Sequence, residues 1–318
     1  MSWKRTLWFI VILAALSVFY YLKLYQKPSA DQPPVFSVDA AQSYILELQN
    51  QEAIKTLSIH DSSKKTAISF ERNSKGGWQI VSPVHFPAEP LIVDGFVTLL
   101  KLTPRLRHLS LNGLDGKDFG FDKPRLKICL STSNRKGRCF LIGGDPVIGQ
   151  GAYAKWEDET TYFLVEPVFL KSFDKTLYTV RRKQIFNLLD NEITSIRFES
   201  SKKEINIVHQ GKHWMFQKPI ESIIGPQAMD LLLTELNGLY VKEFLDDEKS
   251  ADLKPKFKKA VRTIRVLFRD GSEQVLIQGG QVGGRDAYYA RLSEPETLFL
   301  VSQGKLNHLE ETFSKLSS

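Results

Sequence analysis

Two glycine-rich runs are the first stretches of this chain whose composition suggests chemistry. They occupy residues 143–151 and 279–284. A glycine loop binds phosphate when a helix follows it, because the amide groups at the helix N-terminus face the anion. Here a segment of strand type follows each run, at residues 152–155 and 288–291. We therefore predict that both runs are hairpin connections and that neither binds phosphate.

The titratable side chains form no catalytic pattern. Of the six histidines, His209 and His213 lie nearest each other, but a loop between them places them on the approach to a strand instead of one helix face. A metal site is therefore not expected. Asp94 and Asp230 fall in the first half of matched helical segments, where a carboxylate favours the positive helix end. The sequence predicts no catalytic residue, no metal ligand and no cofactor.

Two tryptophans, Trp78 and Trp214, have both a chemical and a structural interpretation. Either ring would be able to stack on a sugar or a base. The two rings also occupy corresponding positions of an internal repeat. We predict that they are matched residues of two hydrophobic cores.

The only two cysteines, Cys129 and Cys139, flank a predicted hairpin tip near residues 134–137. A four-residue tip pairs Thr132 with Cys139 and turns the two sulfur atoms to opposite faces of the sheet. A three-residue tip keeps them on one face, but about two residue pairs apart. We therefore predict that the cysteines are not bonded.

A basic cluster in the second half of the chain is the candidate surface for a polyanion or a partner. Acidic residues 246–248 lie close by in sequence, so neutralisation within the chain is the competing interpretation. A smaller basic group contains Arg105, Arg107 and His108. The net charge of +7 is otherwise spread over mixed surfaces, which argues against nucleic-acid binding. The candidate surface consists of Lys254, Lys256, Lys258, Lys259 and Arg262.

These residues belong to a pattern that occurs twice, 136 residues apart. Residues 78–83 match residues 214–219, and the helical segment that follows matches as well. Alternating segments predict strands, and apolar residues at spacings of three and four predict helices. The sequence therefore predicts an α+β fold with two tandem repeats, residues 43–181 and 182–318. Each is expected to hold an antiparallel sheet with one longer and one short packed helix.

The segment that joins the repeats, residues 177–186, contains neither glycine nor proline and is too apolar for a free linker. We expect it to pack tightly and to fix one repeat against the other.

The N-terminus predicts a membrane anchor. Lys4 and Arg5 precede a mainly apolar run over residues 6–22, which Lys23 closes. That run is at the short end of what spans a bilayer, and flanking tryptophans and tyrosines suit the interface. No small-residue cleavage site ends the run, so the anchor is expected to stay attached. We assign residues 1–25 to a transmembrane helix and residues 26–42 to a proline-rich spacer.

A series of further motifs runs through the chain. They are the anchor, Gly77, Trp78 and Pro83, and residues 119–124, 142–143, 153–155, 161–165 and 180–186. Their order resembles the bacterial family described as domain of unknown function 4340. Repeat two carries residues 252–257 where the Phe-Gly-x-Asp-x-Pro motif would fall. The resemblance therefore does not extend a shared role of this connector, residues 119–124 in repeat one, to the second repeat. The family has no established activity, and its members resemble companions of envelope ABC-transport genes of the gliding-motility type.

These observations predict a membrane-anchored extracytoplasmic binding or scaffold protein of a bacterial cell-envelope complex. The resemblance implies an ABC-type transporter as partner, with the anchor in the inner membrane and the folded part in the periplasm or outside. We expect no enzymatic activity and no nucleic-acid partner. The alternatives are a sensor of an envelope polymer, and an envelope hydrolase or transferase, which requires converging titratable groups.

Overall fold

The computed structural model describes residues 43–48, 53–110, 115–135, 137–246, 254–257 and 260–316. The predicted anchor and spacer lie outside these ranges. Of the helices that the structure describes, none combines the length and the apolar character needed to cross a membrane. Residues from Tyr44 onward form one compact unit.

The first half of this unit contributes nine strands to one sheet. In β6, buried residues alternate with half-buried ones, so that every second side chain enters the core. The strands are β1 (Ile54–Asp61), β2 (Thr66–Arg72), β3 (Trp78–Ser82), β4 (Phe86–Pro87), β5 (Leu106–Ser110), β6 (Leu126–Thr132), β7 (Arg138–Ile142), β8 (Ala152–Trp156) and β9 (Thr161–Val165).

The second half contributes nine further strands to a second sheet. They are β10 (Ile193–Ser200), β11 (Glu204–Gln210), β12 (His213–Lys218), β13 (Ser222–Ile224), β14 (Val241–Phe244), β15 (Arg262–Phe268), β16 (Glu273–Gln281), β17 (Tyr288–Leu292) and β18 (Thr297–Val301).

The two sheets have the same strand order, and all neighbouring strands are antiparallel. The first sheet runs β4-β3-β2-β1-β6-β7-β8-β9-β5, and the second runs β13-β12-β11-β10-β15-β16-β17-β18-β14. The predicted α+β fold with antiparallel sheets is confirmed, and the two similar sheets support a tandem repeat. The division of the chain at residues 181 and 182 stays a prediction.

Five α-helices accompany the sheets in the described part of the chain. They are α1 (Pro90–Leu102), α2 (Pro167–Phe173), α3 (Leu177–Val180), α4 (Pro226–Asn237) and α5 (Gln303–Leu316), and three 3-10 helices span Gly116–Phe119, Asp190–Glu192 and Lys254–Phe257. Helices α1 and α4 begin at Pro90 and Pro226, and the missing amide donor of proline costs nothing at that position.

The closing helices differ from the prediction of one short helix per repeat. In the first repeat the segment breaks into α2 and α3, because the Thr176 hydroxyl accepts from the amide of Thr179 and caps a new turn. In the second repeat α5 continues for 14 residues and is longer than α4, which has 12. Glu310 stands where the first repeat has Asp174, and glutamate favours a helix interior more than aspartate.

Each sheet buries one face under its helices. Trp78 is 2% exposed and Trp214 is 6% exposed, and each lies in the hydrophobic core of its own sheet. The prediction of matched core tryptophans is therefore confirmed. Pro83 and Pro219, which occupy matched positions after these tryptophans, both follow cis peptide bonds.

Candidate functional site

The segment between the repeats, residues 180–185, pairs with an edge of each sheet. On the first sheet, Ala88 and Arg181 form a single antiparallel bridge next to β4. On the second sheet, Gln184 and Tyr240 form another, next to β14. The prediction that this segment packs instead of hanging free is confirmed. The bridges are supported by backbone hydrogen bonds from Arg182 to Pro87 (3.0 Å), Glu89 to Val180 (2.7 Å), Ile185 to Leu239 (3.0 Å) and Val241 to Lys183 (2.8 Å).

Arg181 lies at the centre of this joint, and its side chain is only 2% exposed. Its guanidinium carbon is 4.5 Å from the ring centre of Phe86 and 3.6 Å from that of Phe244. Nη1 donates to a carboxylate oxygen of Asp246. Phe86 belongs to the first repeat, and Phe244 and Asp246 belong to the second. The buried charge is therefore held by groups from both repeats.

A lysine and a tyrosine extend the joint. The Lys183 ammonium donates to the carbonyl oxygens of Thr179 (2.9 Å) and Arg181 (3.1 Å). Burial lowers the pKa of Lys183, and the charge of Glu89 acts in the opposite direction. The hydroxyl of Tyr178 donates to the carbonyl oxygen of Lys242, at 3.3 Å. The tyrosine bond fixes α3 against β14, and the lysine bonds hold the turn between α3 and the rest of the joining segment.

A second contact between the repeats joins two turns. Lys75 Nζ lies 3.3 Å from Asp270 Oδ2. Hydrogen bonds from the hydroxyl and the amide of Ser272, with Lys75 nearby, lower the pKa of Asp270 to about 2. Both charged side chains are more than half exposed, so the ion pair itself contributes little to stability.

A cavity of about 410 Å³ lies where residues 45–48 meet the first sheet. Its polar lining includes Arg105, Arg138 and Trp156. Both arginines donate to Glu159, at 2.9 Å and 2.7 Å, and Arg138 lies over the Trp156 ring at 4.3 Å. The Trp156 indole donates to the carbonyl oxygen of Ile45 at 2.9 Å, which holds the incoming chain in place. Because these two guanidinium charges are already paired, the cavity is not an obvious anion site.

The structure separates the residues of the predicted basic surface. Lys256 is exposed, and its ammonium is 5.5 Å from the ring centre of Tyr289. Arg262 instead points inward, with 11% of its side chain exposed, and donates to Glu310 at 2.7 Å. Further bonds from Arg262 reach Gln278 and Asn307. Its charge is thus used between β15 and α5, not on the predicted surface. The side chain of Lys254 and both Lys258 and Lys259 lie outside the described residues.

The glycine runs lead into β8 and β17, as predicted for hairpin connections. Their first glycines are required by the connector that packs over each sheet. A Cβ atom on Gly143 would lie 2.0 Å from the carbonyl oxygen of Phe119, and one on Gly279 would lie 2.6 Å from that of Lys256. The second connector thus packs as the first does, although it lacks the Phe-Gly-x-Asp-x-Pro motif. The missing motif therefore does not prevent the second connector from packing on its glycine.

Cys129 and Cys139 form a disulfide, so the prediction that they are not bonded was wrong. The two residues stand directly opposite each other in β6 and β7. The prediction assumed a tight hairpin tip. Instead, β6 continues to Thr132 by pairing with β1, and the Thr132 hydroxyl accepts from the amide of Arg135 at 3.0 Å to form a longer turn.

The matched aspartates have different roles. Asp94 accepts from the Trp78 indole at 2.8 Å and from Arg72 at 3.0 Å. Asp230 is exposed, and the indole of Trp214 bonds instead to Asp190, at 2.6 Å. In the part of the chain that the structure describes, no three His, Cys, Asp or Glu side chains are grouped to hold a metal ion.

Sequence reasoning missed the joint as a cluster of side chains. Arg181 was visible only as one of several basic residues, and Phe244 and Asp246 follow it by more than sixty positions. The one available signal was an arginine placed after apolar residues in a segment without glycine or proline. Such a residue needs a partner if it is buried.

The fold and the joint define a class of protein: an α+β chain of two repeated nine-stranded sheets, held together by a paired segment and a buried arginine. The chain belongs to the family described as a domain of unknown function, DUF4340, whose sequence profile matches residues 78–258. The match begins in β3 of the first repeat and ends in the second, so it includes the joint. Searches of the curated proteins and of the solved structures found no significant match.

Proposed function

We propose that this chain is a membrane-anchored, extracytoplasmic binding or scaffold protein of a bacterial cell-envelope complex. The observation that carries the proposal is the joint, in which residues 180–185 pair with both sheets around Arg181. A scaffold keeps its binding surfaces at a fixed separation, whereas enzymes that close on a substrate usually keep a mobile hinge between domains. The joint, which is bonded to both sheets, has the character of a scaffold.

The compartment and the anchor are proposed on separate grounds. The apolar run over residues 6–22 is long enough for a membrane helix. The disulfide between Cys129 and Cys139 suits an oxidising space such as the periplasm. Both features agree with an anchor in the inner membrane and with repeats outside the cytoplasm.

The proposed partner is an ABC-type transporter of the envelope, by resemblance to the family's usual gene companions. The proposal includes no enzymatic activity, so the function is to be measured as formation of a complex. We therefore expect variants on the exposed surfaces of the two repeats, and not variants in a cleft, to weaken formation of the complex.

The test is to purify the full-length tagged chain from membranes in mild detergent and to identify what co-purifies. We expect transporter subunits in a fixed ratio to the chain. The matched control carries Lys212→Ala, which removes an exposed charge on the β11–β12 turn and should leave the complex intact. A chain that always elutes alone would contradict the scaffold.

The compartment is tested with C-terminal reporters. A reporter that works only outside the cytoplasm should be active, and one that works only inside should be silent. The reverse result would overturn the extracytoplasmic placement, whatever the chain binds.

A further inference from the structure

The second sheet has an edge whose counterpart in the first sheet is occupied. β13 is the outermost strand of the second sheet, and no described residue pairs with its outer side. β4 holds the same place in the first sheet, where the joining segment covers it. The first repeat therefore shows what kind of chain such an edge accepts.

In the first repeat the occupied edge uses two outward-facing backbone groups. The amide of Ala88 points inward and donates to the carbonyl oxygen of Trp78, at 3.0 Å. Its neighbours consequently face outward, because backbone groups alternate along a strand. The carbonyl oxygen of Pro87 accepts from Arg182 at 3.0 Å, and the amide of Glu89 donates to Val180 at 2.7 Å.

The second repeat has the same register. Gln79 pairs with Pro87 in the first repeat, and the matched Met215 pairs with Ile223 in the second. Ile223 therefore corresponds to Pro87, and Gly225 corresponds to Glu89. The carbonyl oxygen of Ile223 and the amide of Gly225 are the matching outward groups. Among the described residues, the Gly225 amide has no backbone acceptor.

Two exposed isoleucines lie at this edge. Ile223 is 66% exposed and Ile220 is 73% exposed. Unpaired strand edges recruit other chains through main-chain hydrogen bonds, and neighbouring side chains then select the partner. The two isoleucines would select apolar side chains.

We propose that β13 accepts an extended segment of a partner protein. This segment pairs with Ile223 and Gly225 as residues 180–182 pair with Pro87 and Glu89, and it places an apolar side chain against Ile220 and Ile223. The inference rests on the proposed binding function and names the surface that performs it.

The partner is a different protein and not a second copy of this chain. In the first repeat, the edge at β4 pairs with a single extended segment that follows the short helix α3. It does not pair with the edge of another sheet. In a second copy, the segment of that kind is already bonded to its own β4.

The test uses a proline variant that removes one outward backbone amide from the edge. Gly225 has φ −65° and ψ 147°, which suits proline, so Gly225→Pro removes the outward amide without straining the backbone. Gly283→Ala is the control, because this residue lies between β16 and β17, far from β13 in the strand order, and a Cβ atom there meets nothing within 4 Å. If Gly225→Pro fails to fold, Ile223→Glu supplies the disruptive variant.

The probe is a synthetic peptide that copies residues 177–186, titrated against the full-length chain in mild detergent. We expect the peptide to bind the wild type and Gly283→Ala with affinities within about threefold, and Gly225→Pro about tenfold more weakly. Equal binding by Gly225→Pro, or no binding by the wild type, would overturn the inference. Self-association that Gly225→Pro abolishes would assign the edge to a second copy instead.

Co-purification separates this inference from the function on which it rests. If transporter subunits still co-purify with Gly225→Pro and the peptide does not bind, the edge is wrong and the scaffold stands. If the peptide binds and nothing co-purifies, the edge stands and the proposed function is wrong.

Discussion

A buried arginine is a costly residue, and at the scale of single residues Arg181 shows how this chain offsets that cost. Removing a guanidinium from water is unfavourable unless charge and hydrogen bonds compensate. Phe86 and Phe244 provide two ring faces, and Asp246 provides a carboxylate. Each repeat contributes at least one of these groups, so the guanidinium is surrounded only when the repeats are in contact. Its buried Nε still has no hydrogen-bond partner among the described residues.

Replacing Arg181 by alanine should therefore destabilise the protein. We expect Arg181→Ala to lower the free energy of unfolding by about 3 kcal/mol, mainly through lost packing between the two rings. Asp246 is 36% exposed and can be rehydrated, which limits the loss. Arg181→Met, which keeps the length of the side chain, should recover part of it. Urea unfolding measures both variants, and a loss below about 0.5 kcal/mol for alanine would contradict this account.

The lowered pKa of Asp270 predicts that the stability of the protein depends on pH. Its pKa falls from 3.8 to about 2 in the folded protein, chiefly because Ser272 donates to the carboxylate. A lowered pKa stabilises the folded state above the unfolded value, and this contribution disappears as pH falls through the folded value. The stability difference between wild type and Asp270→Asn should thus shrink from about pH 4 to about pH 2. Thermal unfolding at several pH values measures it, and a difference that stays constant would exclude this role.

At the scale of elements, periodicity predicted most of the fold. The segment after Trp78 and its counterpart after Trp214 became α1 and α4, and the alternating segments became strands. Features that depend on pairing between distant strands were not predictable in this way. The hairpin of Cys129 and Cys139 took its register from the long pairing of β6 with β1, which no local turn signal reveals.

The connectors show a second limit of the sequence. The motif over residues 119–124 is absent from the second repeat. Each connector nevertheless packs over the matched glycine of its own repeat, Gly143 or Gly279. The connector's backbone makes this contact, so its side chains can change while the glycines beneath it cannot. The sequence signal for connector packing was the matched pair Gly143 and Gly279, and not the motif over residues 119–124.

Alanine at these glycines should displace the connectors. Gly143→Ala and Gly279→Ala each place a Cβ atom against a carbonyl oxygen, and we expect each to cost about 2 kcal/mol of stability. Gly283→Ala is the control, because a Cβ atom there meets nothing within 4 Å and its φ is not positive. Urea unfolding of the three variants measures their loss of stability relative to the wild type. Equal stabilities would show that the connectors do not rest on these glycines.

At the scale of the whole molecule, the sequence predicts an anchor and a spacer ahead of the two repeats, and the anchor and spacer stay predictions. The structure adds how the repeats are held together. The joining segment extends the first sheet beyond β4 and the second beyond β14, so that one stretch of chain serves two edges. Edges that pair in this way are also protected from aggregation.

The rigidity of this joint is open to a direct test by limited proteolysis of the full-length chain in mild detergent. Trypsin requires an extended, accessible segment, and Arg181, Arg182 and Lys183 lie in a segment bonded on both sides. We expect these sites to resist cleavage in the wild type. In Arg181→Ala, the remaining sites at Arg182 and Lys183 should be cut, because the joint has lost the side chain that contacts both repeats. Arg269→Ala, which removes an exposed arginine elsewhere, is the control and should leave the pattern across the joint unchanged. Rapid cleavage of the wild type between the repeats, releasing two stable halves, would mean independent domains on a flexible connection. A domain-closing function would then explain the molecule better than a scaffold.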